Sequence, residues 1–203
     1  MCRKKIAAVE DLTFPEFIKL HTKTEHADLE KKLAGIIKRI RNRQQYIHLL
    51  RMFHGYYHSL ETEMEQYLKN ERIPDIEQRR KANALLQDIR DLGGDSQWQP
   101  VQVKTPVIDS YARALGAAYV LEGSTLGGVI TANMIRSQLP DLPAGKGFSF
   151  FNCYGEQALE MWKKFRTYLL ALTRKEDQEA TAETARQTFL KFKVWIDKYE
   201  PVF

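Results

Sequence analysis

The sequence predicts an all-α fold in a single multi-helical domain. Three observations carry that reading. Apolar residues recur at helical spacing along nearly the whole chain. No run of alternating β-branched residues is bounded by tight turns, as a hairpin requires. Prolines and paired glycines fall where helices should begin or stop. The 203 residues suffice to bury a substantial core without a metal or disulfide staple. A composition of 43% hydrophobic and 28% charged residues, with seven prolines and eleven glycines, excludes disordered, collagen-like and low-complexity classes.

Residues 1–12 read as a basic lead-in and 13–203 as the helical domain. Thr13-Phe-Pro-Glu16 has the Ser/Thr-x-x-Glu form of a capping box with proline in the first turn, so a helix starts there. Its stripe uses Ile18, Leu29, Leu33, Ile37 and Ile40. A second helix is predicted from about Gln44 to Asn70, and a third from about Asp75 to Asp91, ended by Gly93-Gly94. Gly93 to Thr105 reads as a loop. Pro106 opens the next helix, which runs to about Leu139 before Pro140 and Pro143 stop it. Two more follow, Asn152 to Leu172 and Asp177 to Tyr199, the latter patterned by Phe189, Phe192, Trp195 and Ile196.

Gly116 to Ile135 is long enough to span a bilayer and carries one charge, Glu122. Its Ser124, Thr125, Thr131, Asn133 and glycines point instead to a buried helix of a soluble fold, in which Glu122 requires an internal partner or a water-filled cavity. The net charge of +5 is concentrated at the start: residues 1–43 hold eleven Lys/Arg against six Asp/Glu, and the remainder balances at twenty each. That balance disfavours a nucleic-acid-binding face. Cys2 and Cys153 give neither a disulfide framework nor a zinc spacing, and no secretory segment is evident, so a cytoplasmic protein without a membrane partner is expected.

At ~100° per residue, Thr22, His26, Leu29, Leu33 and Ile37 share one side of the first helix, so His26 points into the apolar stripe, as a core histidine or as a ligand. Glu30, one turn on, is placed to orient its imidazole. His54 and His58, with Glu61 and Glu65, form a second possible metal face, to which His21 adds a further histidine. The Glu-x-x-His pairs of a ferritin-type di-iron site are absent. Gly123, Gly127 and Gly128 interrupt a helical pattern at about 1 kcal/mol each relative to alanine. Close helix packing explains them, and so does backbone approach to a flat ligand with a kink that leaves amides and carbonyls free.

Together, Thr22-Lys-Thr-Glu-His26-Ala-Asp-Leu-Glu30 and Tyr119-Val-Leu-Glu-Gly-Ser-Thr-Leu-Gly-Gly128 resemble the haem oxygenase family, and its bacterial branch most closely. Phe150-Phe-Asn-Cys-Tyr-Gly155 followed by Trp162 is similar to the family's C-terminal pocket segment. The resemblance implies that haem b is both cofactor and substrate, that His26 is the axial ligand of its iron, and that Gly123, Ser124, Gly127 and Gly128 form the distal surface. It implies propionate contacts from Lys19, with Tyr119, Lys163 and Arg166 as further candidates, an apolar lining from Phe150 and Phe151, and Glu30 beside the ligand. The implied reaction uses O2 and electrons from an external reductase or ferredoxin, and yields biliverdin, carbon monoxide and ferrous iron. Ser124 stands where animal members carry a distal aspartate, so a water network anchored on backbone carbonyls, with Ser124 or Glu122, is expected to replace it. The rivals are a non-catalytic haem carrier or sensor on the same fold, and a non-haem metal oxidase using His21, His54 and His58.

Overall fold

The computed structural model describes residues 12–95 and 103–199; most of the basic lead-in, Cys2 and part of the predicted 93–105 loop lie outside them. Among the described residues there is no strand, and eight α-helices account for the architecture: α1 (Phe14–His21), α2 (Lys23–Arg39), α3 (Arg43–Met64), α4 (Asn83–Asp91), α5 (Tyr111–Gly123), α6 (Gly128–Gln138), α7 (Ala158–Leu170) and α8 (Lys175–Tyr199).

The Thr13 start is built as its sequence requires, with the Glu16 carboxylate accepting from the Thr13 N–H at 2.9 Å. The single first helix expected from Thr13 to Ile40 is instead two. Thr22 leaves helical geometry (φ −102°, ψ 5°) while its hydroxyl bonds back to the Ile18 carbonyl at 2.9 Å, and the chain bends there. Asn42 caps α3, its side chain accepting from the Gln45 N–H. That helix ends at Met64 rather than Asn70, because Leu68 and Ile73 reach the core through turns that keep the apolar spacing without the helix. The helix expected from Asp75 is a 3-10 turn at Ile76–Gln78, an extended Arg79 (φ −80°, ψ 151°), and then α4, which closes at Gly93 with φ 75°.

The predicted 106–139 helix starts five residues late, where Ser110 caps the Arg113 N–H, and is broken into α5, a 3-10 turn at Ser124–Gly127, and α6. Likewise α7 begins at Ala158, after a 3-10 turn at Gly155–Gln157, rather than at Asn152. The axis of the molecule is the pairing of α5 with α8. A side chain at Gly116 would collide with the Thr181 carbonyl, and the Thr181 hydroxyl bonds the Ala112 carbonyl at 2.8 Å, so the two backbones meet directly. Helix α8 also packs on α1, α2 and α3, and it therefore ties the N-terminal helices to α5. An aromatic core of Phe53, Tyr56, Phe150 and Phe192 fills the space beside α3, with Tyr56 stacked on Phe192 at 4.5 Å.

Candidate functional site

Helix α2 supplies the first wall. His26 stands one turn past the Thr22 bend, and its side chain is 52% exposed, so it lies at the margin of the apolar stripe rather than inside it as the helical wheel suggested. Leu29, Ile36 and Ile37 are the residues that α2 buries. The imidazole is held twice. Its Nε2 lies 3.1 Å from Glu30 Oε1, and its ring is 5.1 Å from the Phe189 ring of α8 at a 35° tilt.

The glycine-rich segment supplies the second candidate wall, and its glycines serve different ends. A side chain at Gly128 would run into the Phe151 carbonyl oxygen, with the carbonyl carbon at 3.1 Å, so this glycine is required by packing. At Gly123 a methyl group would make ordinary contact with the Trp162 ring at 3.6 Å. At Gly127 it would meet nothing within 4 Å. Gly127 is thus the glycine whose surface is open, and Ile130 and Thr131 continue its face, Ile130 being 65% exposed.

Ser124 is held by its own turn and by two residues that the local motif does not contain, Tyr57 and Arg80. Arg80 Nη2 donates to Ser124 Oγ at 2.8 Å and to the Leu121 carbonyl, Tyr57 OH lies 3.0 Å from Ser124 Oγ, and Ser124 Oγ donates to the Leu121 carbonyl at 2.7 Å. A hydroxyl has one proton, so that of Ser124 is directed inward and its oxygen accepts from the other two. The Arg80 guanidinium stacks over Phe150 at 4.3 Å and Tyr57 at 5.1 Å. Glu122 has the internal partner its burial demands: Arg79 Nη1 at 2.6 Å, with Tyr154 OH at 3.3 Å. Burial pushes the Glu122 carboxyl upward while Arg79 and Arg80 oppose it. Both side chains expected to replace a distal aspartate therefore have their hydrogen bonds committed within the protein.

Among the other predicted residues, Lys19 is exposed on α1, and Lys163 (exposed) and Arg166 (half-buried) stand three apart on α7. Arg166 acts electrostatically on both Glu16 of α1 and Tyr119 of α5, which places it where three helices converge. Tyr119 is buried against Trp162 at 5.5 Å; burial pushes its phenol up, opposed by a hydrogen bond with Thr22 and by Arg166. Phe151 is buried edge-on to Phe53 and Phe150, and its carbonyl underlies Gly128. Asp88 anchors this loop, accepting from the Ser149 N–H at 2.7 Å and the Phe150 N–H at 2.9 Å.

Walls α2 and α6 are joined at their C-terminal ends, where Gln138 Nε2 donates to the Ile37 carbonyl at 3.2 Å and Arg41 Nη1 reaches Gln138 Oε1 at 3.4 Å. Towards their N-terminal ends they carry His26 and the open Gly127 surface. Exposed Val129 and Ile130 of α6 and Leu126 of the preceding turn add bare apolar area, Leu20 of α1 adds more, and Lys19 of α1 with Lys163 and Arg166 of α7 carry positive charge. An exposed histidine, open glycine backbone, bare apolar side chains and cations suit a flat apolar group with an anionic edge and an iron centre, so these residues fit haem.

The rival metal face does not assemble. His54 is buried and stacks on His58 at 5.2 Å, burial and His58 pushing its imidazole down to about 4. His21 belongs to a different surface, 3.9 Å from Glu183 of α8. Among the described residues no group of three or more His, Cys, Asp or Glu side chains is placed to hold a metal ion. No helix there is long and apolar enough to cross a membrane. Sequence reasoning assigned no site role to Tyr57, Arg80, Tyr154 and Phe189, since each meets its partner across a long separation in the chain.

Comparison with known proteins follows the same lines. The family model described as heme oxygenase matches residues 12–198. A curated heme oxygenase from Xanthomonas campestris pv. campestris is 31% identical over 125 residues, covering 61% of this chain and 71% of the relative. The solved heme oxygenase of Neisseria meningitidis superposes with a TM-score of 0.77 at 23% identity, covering 93% of this chain and 92% of that one. That of Leptospira interrogans superposes with a TM-score of 0.71 at 23% identity, covering 92% and 100% respectively. At these identities the two structures speak for the fold.

Proposed function

The chain belongs to the haem oxygenase family, whose members degrade haem, and from that premise we propose that it cleaves haem b to biliverdin with release of carbon monoxide and ferrous iron. The observation that carries the assignment of residues is the pairing of a half-exposed, doubly held His26 on one wall with an open Gly127 surface on the other. When bound, haem supplies the iron at which O2 is activated and the ring carbon that is attacked.

The chain's own residues do the rest. His26 holds the iron from the α2 side, with Glu30 and Phe189 limiting rotation of its ring. Gly127 lets backbone lie close to the opposite face, and Leu126, Val129 and Ile130 exclude water around it. Ser124 acts as the inward anchor of the broken turn, so the polar groups that would be left to hold water beside the substrate are backbone carbonyls and amides of residues 123–127. Lys19, Lys163, Arg166 and Tyr119 receive the propionates. Because the sequence carries no electron-carrying motif, electrons come from an external reductase or ferredoxin, and we assign its docking to the basic surface that includes Arg39, Arg41 and Arg43. A reducing cytoplasm suits two cysteines that offer no disulfide framework.

The test is a hemin titration of the purified protein, followed by reductant in air with catalase present to exclude free peroxide. The expected result is a saturable Soret band altered by His26→Ala, then its loss with formation of biliverdin. Saturable binding without conversion by any reductant would favour a haem carrier, and no saturable binding would overturn both haem readings. Neutralising Arg39, Arg41 and Arg43 should slow donor-driven turnover at low salt, and an unchanged salt dependence would reject the docking surface.

A further inference from the structure

We propose that Phe189 and Arg186 of α8 are positioning residues that fix the orientation of His26, so that the last helix, far from the histidine motif in sequence, sets the axial ligand. This rests on the reading of His26 as that ligand. Helix α8 is itself anchored on α5 through Thr181 and Gly116. From that anchor its residues meet the α1–α2 bend at three-residue intervals. Glu183 lies 3.9 Å from His21, Arg186 Nη1 lies 3.4 Å from Glu25 Oε1, and Phe189 contacts the His26 ring. Arg186 also binds Glu183 through Nε at 2.9 Å and Nη2 at 2.8 Å, a bidentate pair that holds the Glu183 carboxyl down at about 2. Farther along, Asp197 takes Lys32 at 2.6 Å.

These contacts bracket the Thr22 bend: Glu183 meets the residue before it and Arg186 a residue after it. A half-exposed histidine on a helix has two side-chain torsions to choose from. Phe189, 6% exposed and fixed in the core, bounds the ring face, and Glu30 bounds its edge. The aromatic contact is of the size that biases one rotamer over others. In this arrangement α8 transmits the position of α5, which leads into the open glycine wall, to the histidine opposite it.

The experiment uses the full chain and three variants, Phe189→Leu, Arg186→Gln and His26→Ala, with hemin as the probe. In protein without hemin, Phe189→Leu should remove the ring-current displacement of the His26 Cδ2 and Cε1 proton resonances. With hemin, it should weaken binding about tenfold and shift the iron–histidine stretching frequency of the reduced protein. Arg186→Gln, at a side chain 31% exposed, should alter the same resonances and weaken binding about threefold without loss of the fold by circular dichroism. Both variants folding normally with unchanged His26 resonances and hemin affinity within about twofold of the parent would overturn the proposal. Should Phe189→Leu fail to melt cooperatively, Arg186→Gln decides it alone. If His26→Ala abolishes the ligand signature while the α8 variants leave it unmoved, only the positioning role falls. If His26→Ala keeps that signature, the ligand reading falls and the positioning role with it.

Discussion

Adding one methyl group at either of two neighbouring glycines should move stability in opposite directions. At Gly128 the new carbon would overlap the Phe151 carbonyl, a backbone group pinned by the Asp88 bonds to Ser149 and Phe150, so no flexible side chain can yield. Overpacking of this kind costs up to about 3 kcal/mol. Alanine regains about 1 kcal/mol of helix propensity, leaving a loss of about 2 kcal/mol. In a chain of this length that lowers Tm by roughly 4–8 °C. At Gly127 the same methyl enters open space and the backbone is already right-handed (φ −94°, ψ −5°), so alanine should gain ~0.4–1 kcal/mol, or roughly 1–4 °C. The methyl would occupy the surface assigned to haem, so Gly127→Ala should also weaken hemin binding. Thermal melts of protein without hemin, with hemin titrations beside them, read both effects. A Gly128→Ala variant as stable as the parent would refute the packing argument. A Gly127→Ala variant with parental hemin affinity would refute the placement of the ligand.

Three further outcomes are expected. Arg79→Met leaves Glu122 buried without its 2.6 Å partner and should cost about 3–5 kcal/mol by urea unfolding, whereas Glu122→Gln, which keeps a hydrogen-bond acceptor for Arg79, should cost less. Burial raises the Glu61 carboxyl to about 7, so its contribution is full below about 4.5 and is lost as pH rises through 7. Burial lowers His54 to about 4, so its contribution is full above about 6.5 and is lost as pH falls through 4. Relative to the parent, Glu61→Gln should therefore make stability rise more steeply from pH 4.5 to 6.5, and His54→Gln less steeply, in unfolding curves taken across that range. Asp88→Ala removes the acceptor for the buried Phe150 N–H, the part-buried Ser149 N–H and the Ser149 hydroxyl, and should cost about 2–3 kcal/mol in the same assay.

The helical class, the Thr13 start, the last helix and the need of Glu122 for a partner were legible because each depends on local spacing or on one residue's solvation. The breaks were not. Thr22 ends α1 through a bond to its own preceding turn, which a helical wheel counts as helix. Arg79 interrupts the third predicted helix because its guanidinium satisfies Asp75 and Glu122 at once, and no window around residue 79 contains Glu122. The three glycines looked alike in sequence, and only their surroundings separate a packing requirement at Gly128 from an open surface at Gly127. His26 could be placed on α2 from its motif, but the ring against which it rests belongs to a residue 163 positions later.

The clasp of Gln138 on Ile37 joins α2 and α6 at their C-terminal ends, as a pivot joins the arms of tongs. His26 lies eleven residues before Ile37, and Gly127 eleven before Gln138. At 1.5 Å per residue both arms are about 16 Å long, so the gripping points stand at equal height above the pivot. A swing of about 6° at the clasp changes the gap by roughly 1.7 Å, half the thickness of an aromatic ring, over an arm of that length. On the proposed function, grip on planar haem and release of an opened, non-planar product would depend on the stiffness of this joint of one glutamine and one arginine as well as on the residues that touch them.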